Sequence, residues 1–405
     1  MKKALRFLVT FASCIFLTSL SSCNKSDQTS RAPELPDKEQ NAELPEVKLT
    51  VESGSATIGI NKSIKIIASK ENTEEKITFS SDAPAIASVN ENGVVTGLET
   101  GFAIITVSVA GKSREIEITV ADYTTDTQAR EINIYCEEGL INFAETVNLG
   151  MLNAVDYTIN ILSDIDLNGA EWTPLAGYAL AKSTFNGNGH TIGNFIITNE
   201  AEGPIVEGQK IRYTAFIGGS YGITVKNITF SDVSIDNPEN AYCGLVVGYL
   251  EGTGTFENVT VKNSEIKSLN SKRGAGTLVG YAHNKANDKG ERYLTIRNCE
   301  IENVRISSKR AAGLVARMED KSVINSIPSG DQWRANIENN KVTGCAFRCD
   351  FRFADGNMAM HWATTLPNAS IGVSADNSGN DFAGNSYYFE ETEYLYASGM
   401  FTKKK

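Results

Sequence analysis

A chain of 405 residues has material for two or three domains and a sizeable core, and 41% hydrophobic with 21% charged residues excludes wholesale disorder. The formal net charge is −11, and loss of Lys2, Lys3 and Arg6 with the leader takes it to about −14. So acidic a chain has no surplus of cations to displace the counterions of a polyanion, which argues against nucleic acid as a partner.

The chain opens MKKALR, a basic stretch. An apolar run over 7–20 follows, long enough for a signal core and short for a stable membrane span. It ends in Leu20-Ser21-Ser22-Cys23. Small residues before a Cys at this place resemble the lipobox of bacterial lipoproteins. The resemblance implies that residues 1–22 are a signal peptide, cleaved before Cys23, and that Cys23 carries lipid. Several acyl chains anchor firmly where one is marginal. Residues 23–46 would then be the lipidated Cys and a flexible tether, polar and punctuated by Pro33, Pro36 and Pro45. Such a leader is similar to those of Bacteroides-type lipoproteins, many of which reach the cell surface. The expectation is a lipid-anchored outer-membrane protein on the cell surface, with the periplasmic face as the alternative.

From Val47 the pattern changes to short alternating apolar runs: Val47-x-Leu49-x-Val51, Ser63 to Ile67, Ile77-x-Phe79, Ile104 to Val107 and Ile116-x-Ile118-x-Val120. Each reads as a half-buried strand, with turns at Asn92-Gly93 and Thr100-Gly101. About seven strands in residues 47–122 predict an Ig-like β-sandwich. The run Phe79-Ser-Ser-Asp82, Ala87-Ser-Val89, Asn92-Gly-Val-Val-Thr-Gly-Leu98 and Ala103 to Val107 resembles the bacterial Ig-like group 2 module. Phe79 stands where that family often has Trp. The resemblance implies a spacer or adhesive unit without chemistry of its own.

Beyond about residue 130 one pattern, apolar-x-Asn-x-x-apolar, returns at Asn194, Asn227, Asn258, Asn298 and Asn339, in steps of 33, 31, 40 and 41 residues. A repeat of this length with a core signature marks a stacked architecture. Gly-Leu-Val-Gly-type pieces precede the later copies: Ala215-Phe-Ile-Gly218, Gly244-Leu-Val-Val-Gly248, Thr277-Leu-Val-Gly280 and Gly313-Leu-Val-Ala316. With Trp172-Thr-Pro-Leu175 and Phe185-Asn-Gly-Asn-Gly-His-Thr-Ile192, they resemble surface β-helix proteins carrying GLUG-like repeats. The expected fold is therefore all-β: an Ig-like sandwich followed, over residues 130–405, by a right-handed parallel β-helix with an atypical C-terminal cap. Tyr387, Tyr388, Phe389, Tyr394 and Tyr396 are the aromatics for that cap. Gly218, Gly248 and Gly280 suit corners, and Ser264 breaks an otherwise apolar position.

The five Asn read as a structural ladder at the core boundary, because each has an apolar residue two before and three after it. A line of Asn contacting glycan outside is the competing reading. The sequons at Asn227, Asn258 and Asn368 read as chance. Asp164-x-Asp166 is the nearest carboxylate pair, and a face carrying both reads as solvated or turn-bound more readily than as a glycosidase pair. His190 reads as a turn residue, and His283 and His361 lack partners in sequence. Trp333 and Trp362 are candidate sugar-stacking platforms, weighed against roles in core or cap. The scattered Cys136, Cys243, Cys299, Cys345 and Cys349 read as core filler, with an isolated disulfide as the alternative. No catalytic residue, metal site or cofactor is predicted.

The sequence thus points to a non-catalytic surface adhesin or glycan-binding protein. Its partners would be the membrane, through its lipid, and a glycan or host cell-surface protein. Binding is expected on the excursions 200–209, 282–292 and 319–333, since function sits on loops held by a rigid scaffold. A polysaccharide lyase or glycoside hydrolase, and a structural subunit of a surface assembly, are the alternatives.

Overall fold

The structure is a computed structural model that describes residues 46–52, 54–206, 209–237, 241–269, 274–283, 293–319, 334–350, 360–361, 379–397 and 400–405. The chain divides into residues 1–46 and a compact unit, Val47–Lys405. The expected signal peptide (1–22), Cys23 and residues 24–45 of the expected tether lie outside the described residues.

The described chain is almost all β, as the alternating apolar runs predict. Its first part is a small sandwich. Ser55–Ile58, Lys112–Val120, Gly101–Val109 and Thr78–Ser81 form one sheet, and Ser63–Lys65, Val94–Gly97 and Ala87–Val89 form another. Every second residue of Ala103 to Val109 is buried, and Ile116, Ile118 and Val120 meet them. The period of two seen in the sequence is this one-sided burial. Gly93 takes a φ of 75°, and a Cβ there would lie 2.8 Å from Cζ of Phe79. The ring of Phe79 therefore packs onto a backbone that only glycine leaves open.

Next comes an element that strand periodicity did not suggest: the helix Glu137–Asn148, here α1. Leu140, Phe143, Ala144 and Val147 are its buried residues, one helical face at i, i+3, i+4 and i+7. They join the same core as Ile132, Ile134, Ile159 and Ile161 of the first coil strands. α1 thus covers apolar surface that an unstacked first coil would otherwise expose to water.

From Glu131–Ile134 onward the strands pair in parallel, coil upon coil. Register is kept along columns of inward side chains: Val225, Phe256, Ile296, Ile337; Phe230, Val261, Ile301, Val342; and Ile235, Ile266, Ile306, Phe347, Tyr387. No coil could bury such a face alone, and stacking buries it continuously at about 4.7–4.9 Å per coil. The last coil strand, Ser386–Phe389, pairs in parallel on one edge and antiparallel with Thr392–Ala397 on the other. Tyr387 is buried and stacks on Phe347, with centroids 5.4 Å apart, and Phe389, Tyr394 and Phe401 pack on the core. A switch to antiparallel pairing ends the stack on a hairpin edge.

A second sheet runs beside the coils. Gln209–Thr214, Tyr242–Gly244, Ala275–Gly276, Ala311–Ala312 and Met360–His361 pair in parallel, with Ala201–Val206 added as an antiparallel edge. It explains Gly218, Gly248 and Gly280 differently from the expected corners. None has positive φ. A Cβ on Gly218 would lie 2.2 Å from the Tyr213 ring, and one on Gly248 would lie 2.6 Å from Tyr213 Cβ. These glycines are needed for close approach of the second layer, not for a bend. Tyr213, Tyr242, Tyr249 and Tyr281 form a small separate core, in which Tyr242 and Tyr281 stack at 4.5 Å.

Candidate functional site

The asparagines come first because the repeat is built on them. Asn194, Asn227, Asn258, Asn298 and Asn339 all hold φ between 52° and 57°, the left-handed region. Asn tolerates this conformation better than most residues with a Cβ. One left-handed residue turns the strand, and it breaks the in-out alternation. The residue after each Asn therefore points inward (Ile228, Val259, Cys299, Asn340), while Asn258, Asn298 and Asn339 are themselves exposed. Apolar flanks thus misplace these side chains when read on a straight strand: the amides stand on the outer side of a corner.

Pairing also reassigns one member. Gly193 pairs with Ser231 and Phe195 with Val233, so Asn194 aligns with Asp232, not with Asn227. A second column of left-handed residues follows: Asn194, Asp232, Asn263, Asn303, Gly344 and Gly384. Each later coil, from Asn227 and Asp232 onward, therefore has two such corners, five residues apart. Side-chain amide bonding is real but runs through partly different residues. Asn160 donates to Asn133 at 3.0 Å, Asn186 to Asn160 at 3.3 Å, Asn227 to Asn186 at 3.2 Å and Asn258 to Asn227 at 2.9 Å. Asn303 donates to Asn263 at 2.9 Å, and Asn194 to Asp166 Oδ1 at 2.8 Å. Asn298 uses its backbone N–H, to the Glu338 carbonyl at 3.2 Å.

Inside the corners lies a set of polar residues, of which sequence reading marked only Ser264. Asn340 is buried, accepts from the Cys299 N–H at 2.9 Å and donates to the Ile296 carbonyl at 2.9 Å. Asn380 does the same for Asn340 N–H and Ile337 O, and Asn385 for Cys345 N–H and Val342 O. Ser264 accepts from Val233 N–H at 3.1 Å, so its break in the apolar column serves a corner amide. The signal was available: each of these polar residues directly follows a left-handed corner position. All five described Cys are buried thiols outside any disulfide. Burial pushes the thiols of Cys243 and Cys299 up to about 12 and that of Cys345 to about 11.

Asp164 and Asp166 line a 410 Å³ cleft between the Ig-like part and the first coils, with Lys62, Glu137, Asn194 and Asp232. Lys62 Nζ reaches Glu137 Oε1 at 2.9 Å and the Asp164 carbonyl at 2.8 Å, tying sandwich to coil. Asp164 Oδ1 accepts from Thr191 N–H at 2.9 Å and lies 3.3 Å from His190 Nδ1. Asp166 Oδ1 accepts from Asn168 N–H and Asn194 Nδ2, each at 2.8 Å. The Thr191 amide holds the Asp164 carboxyl below its ordinary value, and the Asn168 amide does so for Asp166. Both carboxylates, and His190, are engaged in turn contacts.

A larger depression, 680 Å³, crosses the outward face of four successive coil strands: Glu265–Ser268, Arg305–Ser308, Ala346–Cys349 and Ser386–Phe389. One outward column reads Lys267, Ser307, Arg348, Tyr388, and its neighbour Glu265, Arg305, Ala346, Ser386. The hollow exists because Ser307 is small between Lys267 and Arg348, and Ala346 and Ser386 are small beyond Arg305. Lys267 pairs with Glu265 at 2.8 Å and Arg348 with Glu391 at 2.7 Å, and the Arg348 guanidinium lies 5.5 Å from the Tyr388 ring centre. Leu269, 56% exposed, edges the groove with an apolar side chain. Sequence reading looked for binding on the excursions. It missed this face because its members lie about 40 residues apart and meet only through register.

Trp333, Trp362 and most of the excursions 282–292 and 319–333 lie outside the described residues. Trp172 is buried, stacks on Phe216 at 4.8 Å and donates to its carbonyl at 2.9 Å, so it is core.

A family model described as a bacterial Ig-like domain matches residues 75–122, and the chain contains such a domain there. Among solved structures, a bacterial Ig-like domain containing GH10 xylanase from termite gut is similar at 16% identity and a TM-score of 0.15. The match covers 26% of this chain and 30% of that one. No curated protein matches.

Proposed function

We propose that this chain is a lipid-anchored surface protein that binds a glycan without transforming it. In this reading Cys23 carries the lipid, residues 24–46 are the tether, and the stack is a right-handed parallel β-helix of the GLUG-repeat kind. The bacterial Ig-like domain is in keeping with a surface or carbohydrate-associated protein. The observation that carries the binding role is the groove over Lys267, Ser307, Arg348 and Tyr388, whose size suits a ligand site. It joins an aromatic ring, an exposed aliphatic side chain and pre-paired charged groups on a rigid sheet, so ordering costs little on binding. Lys62 supports a role for the Ig-like domain as a stiff lead to the stack rather than a loose bead.

The glycoside-hydrolase form of the enzyme alternative needs a carboxylic acid that keeps its proton near neutral pH. Asp164 and Asp166 are shifted the other way. Two experiments test the proposal. Glycan-array screening and calorimetry of the full chain should find a ligand, and reducing-sugar assays on the same glycans should find no turnover. Protease treatment of intact cells should remove the protein, and Cys23→Ser should release it from membranes. Steady sugar release, or full protection on intact cells, would overturn the respective part.

A further inference from the structure

We infer that the four-coil groove takes a neutral, hydroxyl-rich polysaccharide laid along the stack axis, an inference that rests on the glycan-binding reading above. The first reason is charge. Three cations (Lys267, Arg305, Arg348) and four carboxylates (Glu265, Asp350, Glu390, Glu391) line it. Lys267 and Arg348 are already matched by Glu265 and Glu391. Outside those two pairs the groove keeps one cation, Arg305, and two carboxylates, Asp350 and Glu390, so a uronate or sulfated chain would find one counter-charge and a cationic chain two, and either would pay desolvation over the rest of its length. Neutral hydroxyls are donors and acceptors at once, so they bond to both members of such pairs. Arg305, between Glu265 and Ala346 in the register, forms no ion pair among the described residues, and its planar set of donors lines the hollow.

The second reason is shape. The groove passes over four coils, three steps of about 4.8 Å, so its length is about 14 Å along the axis. Ser307 and Ala346 form its floor, with Lys267 and Leu269 toward one end and Arg348 and Tyr388 toward the other. Apolar surface from Leu269 and the Tyr388 ring suits the C–H faces of sugar rings. A linear chain fills this space; a single monosaccharide would leave most of it to water.

The test uses the full chain in a sugar-free detergent. Calorimetry is run with hexamers of xylose, glucose, mannose and galacturonate, and with hexameric chitosan, at low and high salt. Expected are binding of at least one neutral hexamer and an affinity that changes less than about twofold with salt, since no net charge is neutralised. Ser307→Trp, which fills the hollow from the outward face, should weaken it at least about tenfold. Arg305→Met, which removes donors without filling the groove, should also weaken it and guards against a folding defect in the first variant. Binding of galacturonate or chitosan through this groove, in place of neutral hexamers, would overturn the neutral class and leave the glycan-binding reading intact. Neutral binding unaffected by both variants would overturn the groove as the site. Absence of any glycan binding here and on a broad array would overturn the glycan-binding reading itself.

Discussion

Asn258 donates its side-chain amide to Asn227 Oδ1 at 2.9 Å, one coil away, while both residues hold left-handed backbone at 53° and 52°. The two roles are separable. Asn258→Ala loses the bond and must strain the corner, about 1–2 kcal/mol for the left-handed conformation and about 1 kcal/mol for the bond. Asn258→Gly loses the bond and keeps the corner. Thermal unfolding should therefore rank wild type above Gly above Ala. Equal losses for Ala and Gly would mean that the amide bond alone matters.

The inner asparagines carry more. Asn340→Leu keeps side-chain volume but leaves the Cys299 N–H and Ile296 carbonyl without their partner inside the coil. Each such group costs about 1–3 kcal/mol, so the loss should exceed that of Asn258→Ala. Denaturant titration followed by circular dichroism measures both. A smaller loss for Asn340→Leu would show that water reaches that corner.

Close approach gives a third expectation. Gly248→Ala places a methyl 2.6 Å from Tyr213 Cβ and 3.0 Å from the Gly218 carbonyl. The second sheet must then move away, a cost of about 1–3 kcal/mol for overpacking. Near-ultraviolet circular dichroism of the tyrosine cluster should change with the melting temperature. An unaltered tyrosine signal would place the second layer elsewhere.

Acid should act on the junction cleft. The carboxyls of Asp164 and Asp166 are held below 3.8, so the stability they contribute is present above that value and is lost as pH falls through the lowered values. Asp164→Ala should lower the melting temperature at neutral pH, and its gap from wild type should narrow well below pH 3.8. A gap constant into acid would assign the loss to packing instead.

Buried thiols should be inert. With Cys243 and Cys299 pushed to about 12 and Cys345 to about 11, little thiolate exists at neutral pH and none of it is accessible. Mass spectrometry after iodoacetamide should find the five described Cys unlabelled in the native protein and labelled after denaturation. Rapid native labelling of Cys345 would indicate that the late coils open.

The residue pattern alone sufficed for the all-β class, the Ig-like sandwich and a repeat with inward apolar columns. Burial on one face leaves a period in sequence that needs no partner to be read. It also sufficed to mark Asn as the recurring residue of each repeat. Helix α1 was visible only as Leu140, Phe143, Ala144 and Val147 in an otherwise strand-rich chain. Register between coils was not legible, because steps of 31 to 41 residues give no rule for which residue meets which. Tertiary structure therefore decided that Asn194 belongs with Asp232, that Asn340 and not Asn339 points inward, and that Gly248 makes room for Tyr213. It alone decided the groove, since Lys267, Ser307, Arg348 and Tyr388 become neighbours only when four coils stack at the spacing of a hydrogen-bonded sheet.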